Sequence, residues 1–237
     1  FLLEQGGETE FHFELVGELL DEELIRLLKA APSGRFRVEI GVQSTCTAAL
    51  KAVRRRYQLD TLRANCLALT TKEQGLENPR PIVHLDLIAG LPHEDLATFG
   101  RSFDWTFRLH PDELQLGFLK LLKGSPLREQ AQEYGYAFTD TPPYEVLRSK
   151  WLSYGDLLQL KGVEEMVAKV FNSKHFRYTL AYLFREDHLS PWAFFSALAH
   201  FWRRQGWSGQ ARKQGALYNG LWRYLTTEFP PNHGTAG

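Results

Sequence analysis

The sequence predicts an α/β fold followed by an all-helical C-terminal domain. Residues 11–126 alternate short apolar-polar runs with longer helical stretches, which is typical of repeated β/α units around a parallel sheet or barrel. From about Pro142 this alternation stops and apolar residues recur at helical spacing. We therefore expect an α/β domain over 1–140, a helical domain over 141–229 and a flexible tail over 230–237.

Four segments of the first domain have the length and the flanking turn residues of strands: 11–16, 35–44, 82–90 and 113–120. Helical patterns lie between them at 20–31, 47–73 and 94–108, the second with a break around 58–60. The stretch Gly75–Pro81 has the composition of a loop.

The C-terminal domain shows helical patterns at 144–171, 174–185, 191–204 and 211–228. Ser190 followed by Pro191 is a strong start signal, because serine caps a helix and proline suits its first position. Gly155 and Gly162 weaken the first of these helices. This region is rich in aromatic residues, and an aromatic stripe on helices most often forms a core.

Charge and cysteine content limit the possible functions. Lys+Arg and Asp+Glu both number 28 in the 237 residues, so no overall field attracts nucleic acid or an anionic membrane. Two cysteines, Cys46 and Cys66, are too few for a disulfide framework and suit a reducing cytoplasm. No apolar run approaches the roughly 18 to 20 residues of a membrane span. We expect a cytoplasmic protein without nucleic-acid or membrane partners.

Each predicted strand has one apolar and one polar row, since side chains alternate faces along a strand. The polar row consists of His12, Glu14, Arg37, Glu39, Gly41, Gln43, His84, Asp86, Gln115 and Gly117. A parallel sheet covered on both faces should instead show continuous apolar strands, and an ordinary closed barrel fills its lumen with branched aliphatic side chains.

The polar row therefore predicts a barrel or half-barrel whose inner face meets a polar ligand. Burying Glu14, Glu39 and Asp86 without partners would be costly. In β/α barrels ligands gather at the C-terminal strand ends, which favours Glu14, Gln43 and Asp86. The alternative is a hydrogen-bonded polar network, or a sheet with one face in water.

Two motifs in this context resemble the radical S-adenosylmethionine superfamily. Residues 39–44 read Glu-Ile-Gly-Val-Gln-Ser, and residues 86–92 read Asp-Leu-Ile-Ala-Gly-Leu-Pro. The resemblance covers about the first 130 residues. It implies a partial (β/α)6 barrel of the TIM-like kind, of which this chain supplies strands three to six.

The resemblance also implies roles for four residues in holding S-adenosylmethionine. Gln43 and Asp86 match the family positions that bind the ribose, and Glu14 matches a carboxylate suited to the ammonium group. Arg55 lies 12 residues after Gln43, at the family spacing for the arginine that binds the methionyl carboxylate, which a guanidinium can hold bidentately. Arg54 and Arg56 are close rivals of Arg55.

A narrower resemblance extends over nearly the whole chain. Residues 115–127 and the string Pro143-Tyr144-Glu145-Val146 are similar to radical S-adenosylmethionine proteins with a cobalamin-binding domain and a helical C-terminal domain of unknown function. It implies reductive cleavage of S-adenosylmethionine, or its use with cobalamin for methyl transfer, by the parent enzyme. The substrate, a small molecule or a peptide, is left open.

One departure from the superfamily concerns the iron-sulfur cluster. The C-x-x-x-C-x-x-C motif that binds the four-iron four-sulfur cluster is absent, and Cys46 and Cys66 do not replace it. The first residues read like the end of a helix, so we expect a piece of a longer protein whose N-terminal part carries the cluster. This chain alone should be inactive.

Two other functions are compatible with the residues. His12 and His84 with Asp86 could form a mononuclear metal site of a hydrolase, because imidazole and carboxylate suit zinc or iron. Alternatively, the chain could be a non-catalytic ligand-binding or docking module.

Overall fold

The computed structural model of the chain describes residues 1–3, 9–55, 58–71, 80–185, 189–211 and 213–229. They form two compact units, Phe1–Leu157 and Leu158–Gly237. The first is an α/β unit built on a parallel sheet, which confirms the predicted class. The predicted loop at 75–81 lies mostly outside the described residues, and the tail at 230–237 lies wholly outside them.

Four parallel strands form the sheet in the order β1-β2-β3-β4. Their bounds are Phe11–Leu15 for β1, Phe36–Gln43 for β2, Ile82–Ala89 for β3 and Glu113–Phe118 for β4. All four predicted strands are therefore present, each within a few residues of its expected ends.

Alternation along the strands separates a buried face from a polar one. On β2, Val38, Ile40 and Val42 are fully buried, whereas Arg37 and Glu39 between them are partly exposed. The apolar row therefore packs into the core of this unit, and the polar row lines the opposite face of the sheet.

Helices connect the strands: α1 at Glu22–Lys29, α2 at Thr47–Ala52, α3 at Leu59–Thr70 and α4 at Leu96–Phe107. The Asp21 side chain accepts a hydrogen bond from the Leu24 backbone N–H at 2.8 Å, and Asp95 does the same for Thr98. These caps satisfy amides that have no partner within their helices.

The first unit extends beyond the sheet to Leu157. It includes α5 at Pro126–Glu129 and a small antiparallel pair, β5 at Ala137–Phe138 and β6 at Val146–Arg148. This segment is tied back to the sheet, because the Val146 amide donates to the Leu119 carbonyl at 3.0 Å and the Tyr136 hydroxyl donates to the Gly90 carbonyl at 2.8 Å.

The helix predicted over 144–171 is wrong in its first part. Residues 146–148 are a strand, and α6 begins only at Tyr154 and ends at Met166. Ser153 and Asp156 start α6 by reciprocal bonds, in which the Ser153 amide donates to the Asp156 carboxylate and the Asp156 amide to the Ser153 hydroxyl. The α/β unit thus ends later than the predicted domain boundary at residue 140.

The described residues of the second unit are helical or in turns. A π-helical segment at Val167–Asn172 follows α6, then α7 at Arg177–Leu183, α8 at Pro191–Arg204 and α9 at Gln214–Thr227. Ser190 caps α8 as predicted, since its hydroxyl accepts the Ala193 amide at 3.0 Å.

Aromatic residues form the core of the second unit. Phe194, Phe195 and Trp202 are at most 1% exposed, and Trp202 meets Trp207 edge to face with ring centroids 5.0 Å apart. Tyr178 and Trp222 depart from this pattern, at 75% and 69% exposed. No helix in the described parts of the chain is long and apolar enough to cross a membrane.

Candidate ligand-binding site

Strand register brings the polar residues together across the sheet. Glu14 pairs with Glu39, and Glu39 pairs in turn with His84 on β3. One step nearer the C-terminal strand ends, Gly41 pairs with Asp86. Polar residues that are up to 72 positions apart in sequence therefore lie in two neighbouring rows on one face.

A cavity of about 470 Å³ opens above these rows. It is lined by Glu14, Leu15, Val16, Glu18, Glu39, Gly41, Gln43, Arg55 and Asp86. The volume is within the range of pockets that bind small molecules and cofactors. All four residues that the sequence singles out, Glu14, Gln43, Arg55 and Asp86, line this one cavity; their roles stay predictions.

The end of β2 has an irregular shape that moves Gln43 over the strand. The register shifts between Gly41 and Gln43, and Gln43 has a left-handed backbone with φ of 66°. A Cβ atom at position 41 would lie 2.0 Å from Gln43 Nε2, so the Gln43 side chain occupies the space that glycine leaves. The alternating pattern predicts the polar row but not this bulge.

Arg55, in the loop after α2, also contacts the C-terminal end of β2. Its guanidinium donates a hydrogen bond to the Gly41 carbonyl at 3.2 Å. Of its two rivals, Arg54 is exposed with a left-handed φ of 57° and does not line the cavity, and Arg56 lies outside the described residues.

Below the cavity, two histidines contact the carboxylates of the polar row. His12 Nε2 lies 3.0 Å from Glu39 Oε2, whereas His84 Nδ1 is 3.8 Å from the same oxygen. The other nitrogen of His84, Nε2, lies 3.1 Å from Asp86 Oδ1. The Asp86 residue is 9% exposed.

These neighbours change the pKa values of the cluster. Burial raises the pKa of Glu39, and the nearby Asp86 carboxyl adds to this more than His84 and His12 offset it. Burial acts to lower the pKa of His84, but the contact with Asp86 and the charges of Glu39 and Glu113 outweigh it, so the net shift is upward. A protonated His84 is therefore favoured between two carboxylates.

The alternative function, a metal site formed by His12, His84 and Asp86, is not supported. Within the described ranges, no group of three His, Cys, Asp or Glu side chains is arranged to hold a metal ion. The reason is visible at His84, whose two nitrogens lie beside different carboxylates. Cys66 is buried in α3, where burial raises the pKa of its thiol to about 12, and the Cys46 thiol donates to the His93 carbonyl at 3.6 Å.

Sequence reasoning missed a buried carboxyl beside the site. Glu94 is fully buried and accepts hydrogen bonds from the hydroxyls of Ser44 at 2.6 Å and Ser102 at 3.0 Å. Burial raises its pKa to about 7, more than these two bonds lower it. The sequence offers one signal for this buried carboxyl. Two acidic residues, Glu94 and Asp95, precede α4, but a helix needs only one of them as its N-cap, and Asp95 has that role.

Comparison with known proteins gives matches to solved structures and to one family model. No curated protein sequence matches significantly. Among solved structures, the chain is similar to an Elp3 with an N-terminal deletion from the archaeon Methanocaldococcus infernus, with 22% identity and a TM-score of 0.40. That match covers 52% of this chain and 28% of the Elp3 chain.

Two further solved structures are described as radical S-adenosylmethionine enzymes. They are the methyltransferase TsrM from Kitasatospora setae, with its tryptophan substrate and an analogue of S-adenosylmethionine bound, and coproporphyrinogen III oxidase from Escherichia coli. TsrM has 18% identity and a TM-score of 0.43 over 54% of this chain and 23% of its own. The oxidase has 21% identity and a TM-score of 0.39 over 65% of this chain and 38% of its own.

The chain spans less than two fifths of the length of each of these three proteins. The C-terminal part has a match of its own. Residues 132–234, which include most of the second unit, match the family described as "protein of unknown function (DUF4080)".

Proposed function

We propose that the chain forms part of a partial barrel that binds S-adenosylmethionine in a radical S-adenosylmethionine enzyme. The observation that supports this most is the convergence of Glu14, Gln43, Arg55 and Asp86 on one cavity. The family motifs alone imply these residues, which come from three strands and one loop.

The chemistry of the cavity suits each polar group of this ligand. A guanidinium such as that of Arg55 can hold the methionyl carboxylate, and the carboxylate of Glu14 can hold the ammonium group. Gln43 and Asp86 offer amide and carboxylate groups for the ribose hydroxyls. The cavity has more carboxylates than cations, which favours a ligand that carries a sulfonium as well as an ammonium group.

The residues of this chain do not fit an iron-sulfur cluster. Such a cluster needs at least three cysteine ligands in this superfamily, and the chain has two cysteines, one of them buried in a helix. The cluster would supply the electron for cleavage of the ligand, and in our proposal another part of the parent protein holds it. Cobalamin-dependent methyl transfer is the second reaction open to such a parent, and we derive no step for it.

Calorimetry with S-adenosylmethionine and the 237-residue chain tests the proposal. Arg55→Gln and Asp86→Asn should each weaken binding by about 10- to 100-fold, because each removes a charged hydrogen-bonding group from the cavity. Arg54→Gln is the matched control, and it should bind like the wild type because Arg54 does not line the cavity.

Two results would overturn this proposal. One is the absence of binding by the wild-type chain at millimolar ligand. The other is an equal loss of affinity in Arg54→Gln and Arg55→Gln, which would indicate a general effect of positive charge. A non-catalytic binding module would bind the ligand equally well, and a parent gene without the C-x-x-x-C-x-x-C motif would favour that alternative.

A further inference from the structure

His84 is a polar-row residue in direct contact with Asp86, yet it does not line the cavity. Its side chain is 12% exposed and that of Asp86 is 13% exposed. The two residues are two positions apart on β3, so their side chains lie on the same face of the sheet. A contact between them is therefore fixed by the strand itself.

The contact is an ion pair when His84 is protonated, and it uses the buried oxygen of Asp86. His84 Nε2 lies 3.1 Å from Asp86 Oδ1, but no donor in the described parts of the chain reaches this oxygen with hydrogen-bond geometry. Asp86 lines the cavity although its Oδ1 is buried, so the rest of its carboxylate is left to accept a ligand hydroxyl.

Charged neighbours hold His84 in place from each adjoining strand. Glu39 on β2 and Glu113 on β4 face it across the sheet, and Arg37 binds Glu113 at 2.9 Å. His12 on β1 faces Glu39 from the other side at 3.0 Å. Carboxylates on both sides of the imidazole favour its protonated form.

We infer that His84 is a positioning residue that holds the Asp86 carboxylate in its orientation toward the cavity. This inference rests on the proposed function, because it assigns His84 a task only if a ligand binds to Asp86. Without the imidazolium, Asp86 would lie beside Glu39 with no opposing charge from its own strand.

The first experiment follows the histidine ring signals by NMR as a function of pH, with the signal absent from His84→Gln assigned to His84. In the wild type, His84 should titrate above the ordinary histidine pKa, and Asp86→Asn should lower that pKa because a negative partner is lost. His12→Gln is the matched control and should leave the Asp86 effect in place, since His12 pairs with Glu39.

The second experiment measures the affinity for S-adenosylmethionine against pH. Below the His84 pKa, His84→Gln should bind about tenfold more weakly than the wild type. Because the raised pKa favours imidazolium, this difference should vanish as the pH rises through it. The ligand's own titration is common to both proteins and cancels. If His84→Gln fails to fold, saturating ligand should raise the pKa of His84 in the wild type by linkage.

The outcomes separate the two proposals. A His84 titration that Asp86→Asn does not move, or parallel affinity profiles for wild type and His84→Gln, would overturn the positioning role while S-adenosylmethionine binding stands. A wild type that binds no S-adenosylmethionine, yet shows the Asp86-dependent titration, would instead overturn the proposed function and leave His84 as a structural ion-pair partner.

Discussion

The two compact units differ in what they bury. In the first unit, the buried polar or charged side chains among the described residues include Gln43, Asp86 and Glu94, and these three lie at or just beyond the C-terminal ends of β2 and β3. In the second unit, the buried side chains that the structure describes are apolar. Burying polar groups costs free energy, whereas burying aromatic rings is strongly favourable.

The units also differ in charge. Residues 1–157 contain 18 Lys and Arg against 23 Asp and Glu, and residues 158–237 contain 10 against 5. The net charge of zero for the whole chain thus combines an acidic unit with a basic one. The buried polar groups, and with them the ligand site that we propose, lie in the first unit, while the apolar interior of the second unit supports its stability.

The largest effect that tests this division should come from the core of the second unit. Trp202→Ala should reduce the free energy of unfolding by about 3–5 kcal/mol, because it removes a ring that is 1% exposed and leaves a cavity. Urea unfolding followed by circular dichroism measures this loss. In the folded fraction, affinity for S-adenosylmethionine should stay within about twofold of the wild type.

Trp222→Ala is the matched control, since Trp222 is also on a helix of this unit but is 69% exposed. Its effect on the free energy of unfolding should stay within about 0.5 kcal/mol. Equal losses in the two variants would refute the division, because burial would then not decide which tryptophan stabilises the unit.

A smaller effect on the free energy of unfolding should come from Glu94 in the first unit, where a carboxyl group is buried instead of an aromatic ring. Its folded-state pKa of about 7 is above the ordinary value, so the folded state binds this proton more tightly than the unfolded state. The contribution of Glu94 to stability is complete below the ordinary pKa of about 4.5 and is lost as the pH rises to about 7. Glu94→Gln should remove this decline, on the order of 2–3 kcal/mol.

Urea unfolding at several pH values between 4 and 8 measures the decline. Asp95→Asn is the control next in sequence, because Asp95 is exposed and its hydrogen bonds to Thr98 lower its pKa. Its contribution has the opposite sign: it is present above the ordinary pKa and is lost as the pH falls through the lowered one. A decline that persists in Glu94→Gln would place the titrating group elsewhere.

The sequence predicts the four strands and the strand residues of the cavity's polar lining because both depend on local pattern, whereas Arg55 follows only from the family resemblance. Period-two alternation assigns Glu14, Gln43 and Asp86 to one face, and parallel strands align their C-terminal ends. Residues 144–153 were predicted as helix because their spacing is ambiguous, and a bond from the Val146 amide to the Leu119 carbonyl decides for a strand.

What the sequence does not predict depends on contacts between distant residues. Glu94 reads as a helix-start residue, and only the fold brings Ser44 to it, 50 positions away. The pairing of His84 with Asp86 follows from their spacing, but its protonation depends on Glu39 and Glu113 from other strands. These contacts between distant residues form only in the tertiary structure, so composition and periodicity do not predict them.

The smallest effects concern two glycines, one in each unit, that leave room for a neighbouring side chain. A Cβ at Gly220 would lie 2.4 Å from the Trp202 ring, whose packing against Trp207 leaves it little freedom to move. A Cβ at Gly41 would lie 2.0 Å from Gln43 Nε2, which is the mobile end of a long side chain. The same substitution should therefore act on different properties in the two units.

Gly220→Ala should cost about 1–3 kcal/mol of unfolding free energy by overpacking, with no change in affinity for S-adenosylmethionine. Gly41→Ala should cost less stability, because the Gln43 amide can move away, but that movement should weaken binding of the ligand. Urea unfolding and calorimetry on both variants measure the two properties. If Gly41→Ala bound the ligand as tightly as the wild type, the position of the Gln43 side chain over Gly41 would have no part in binding. A loss of affinity without a loss of stability would show that Gly41 is part of the site.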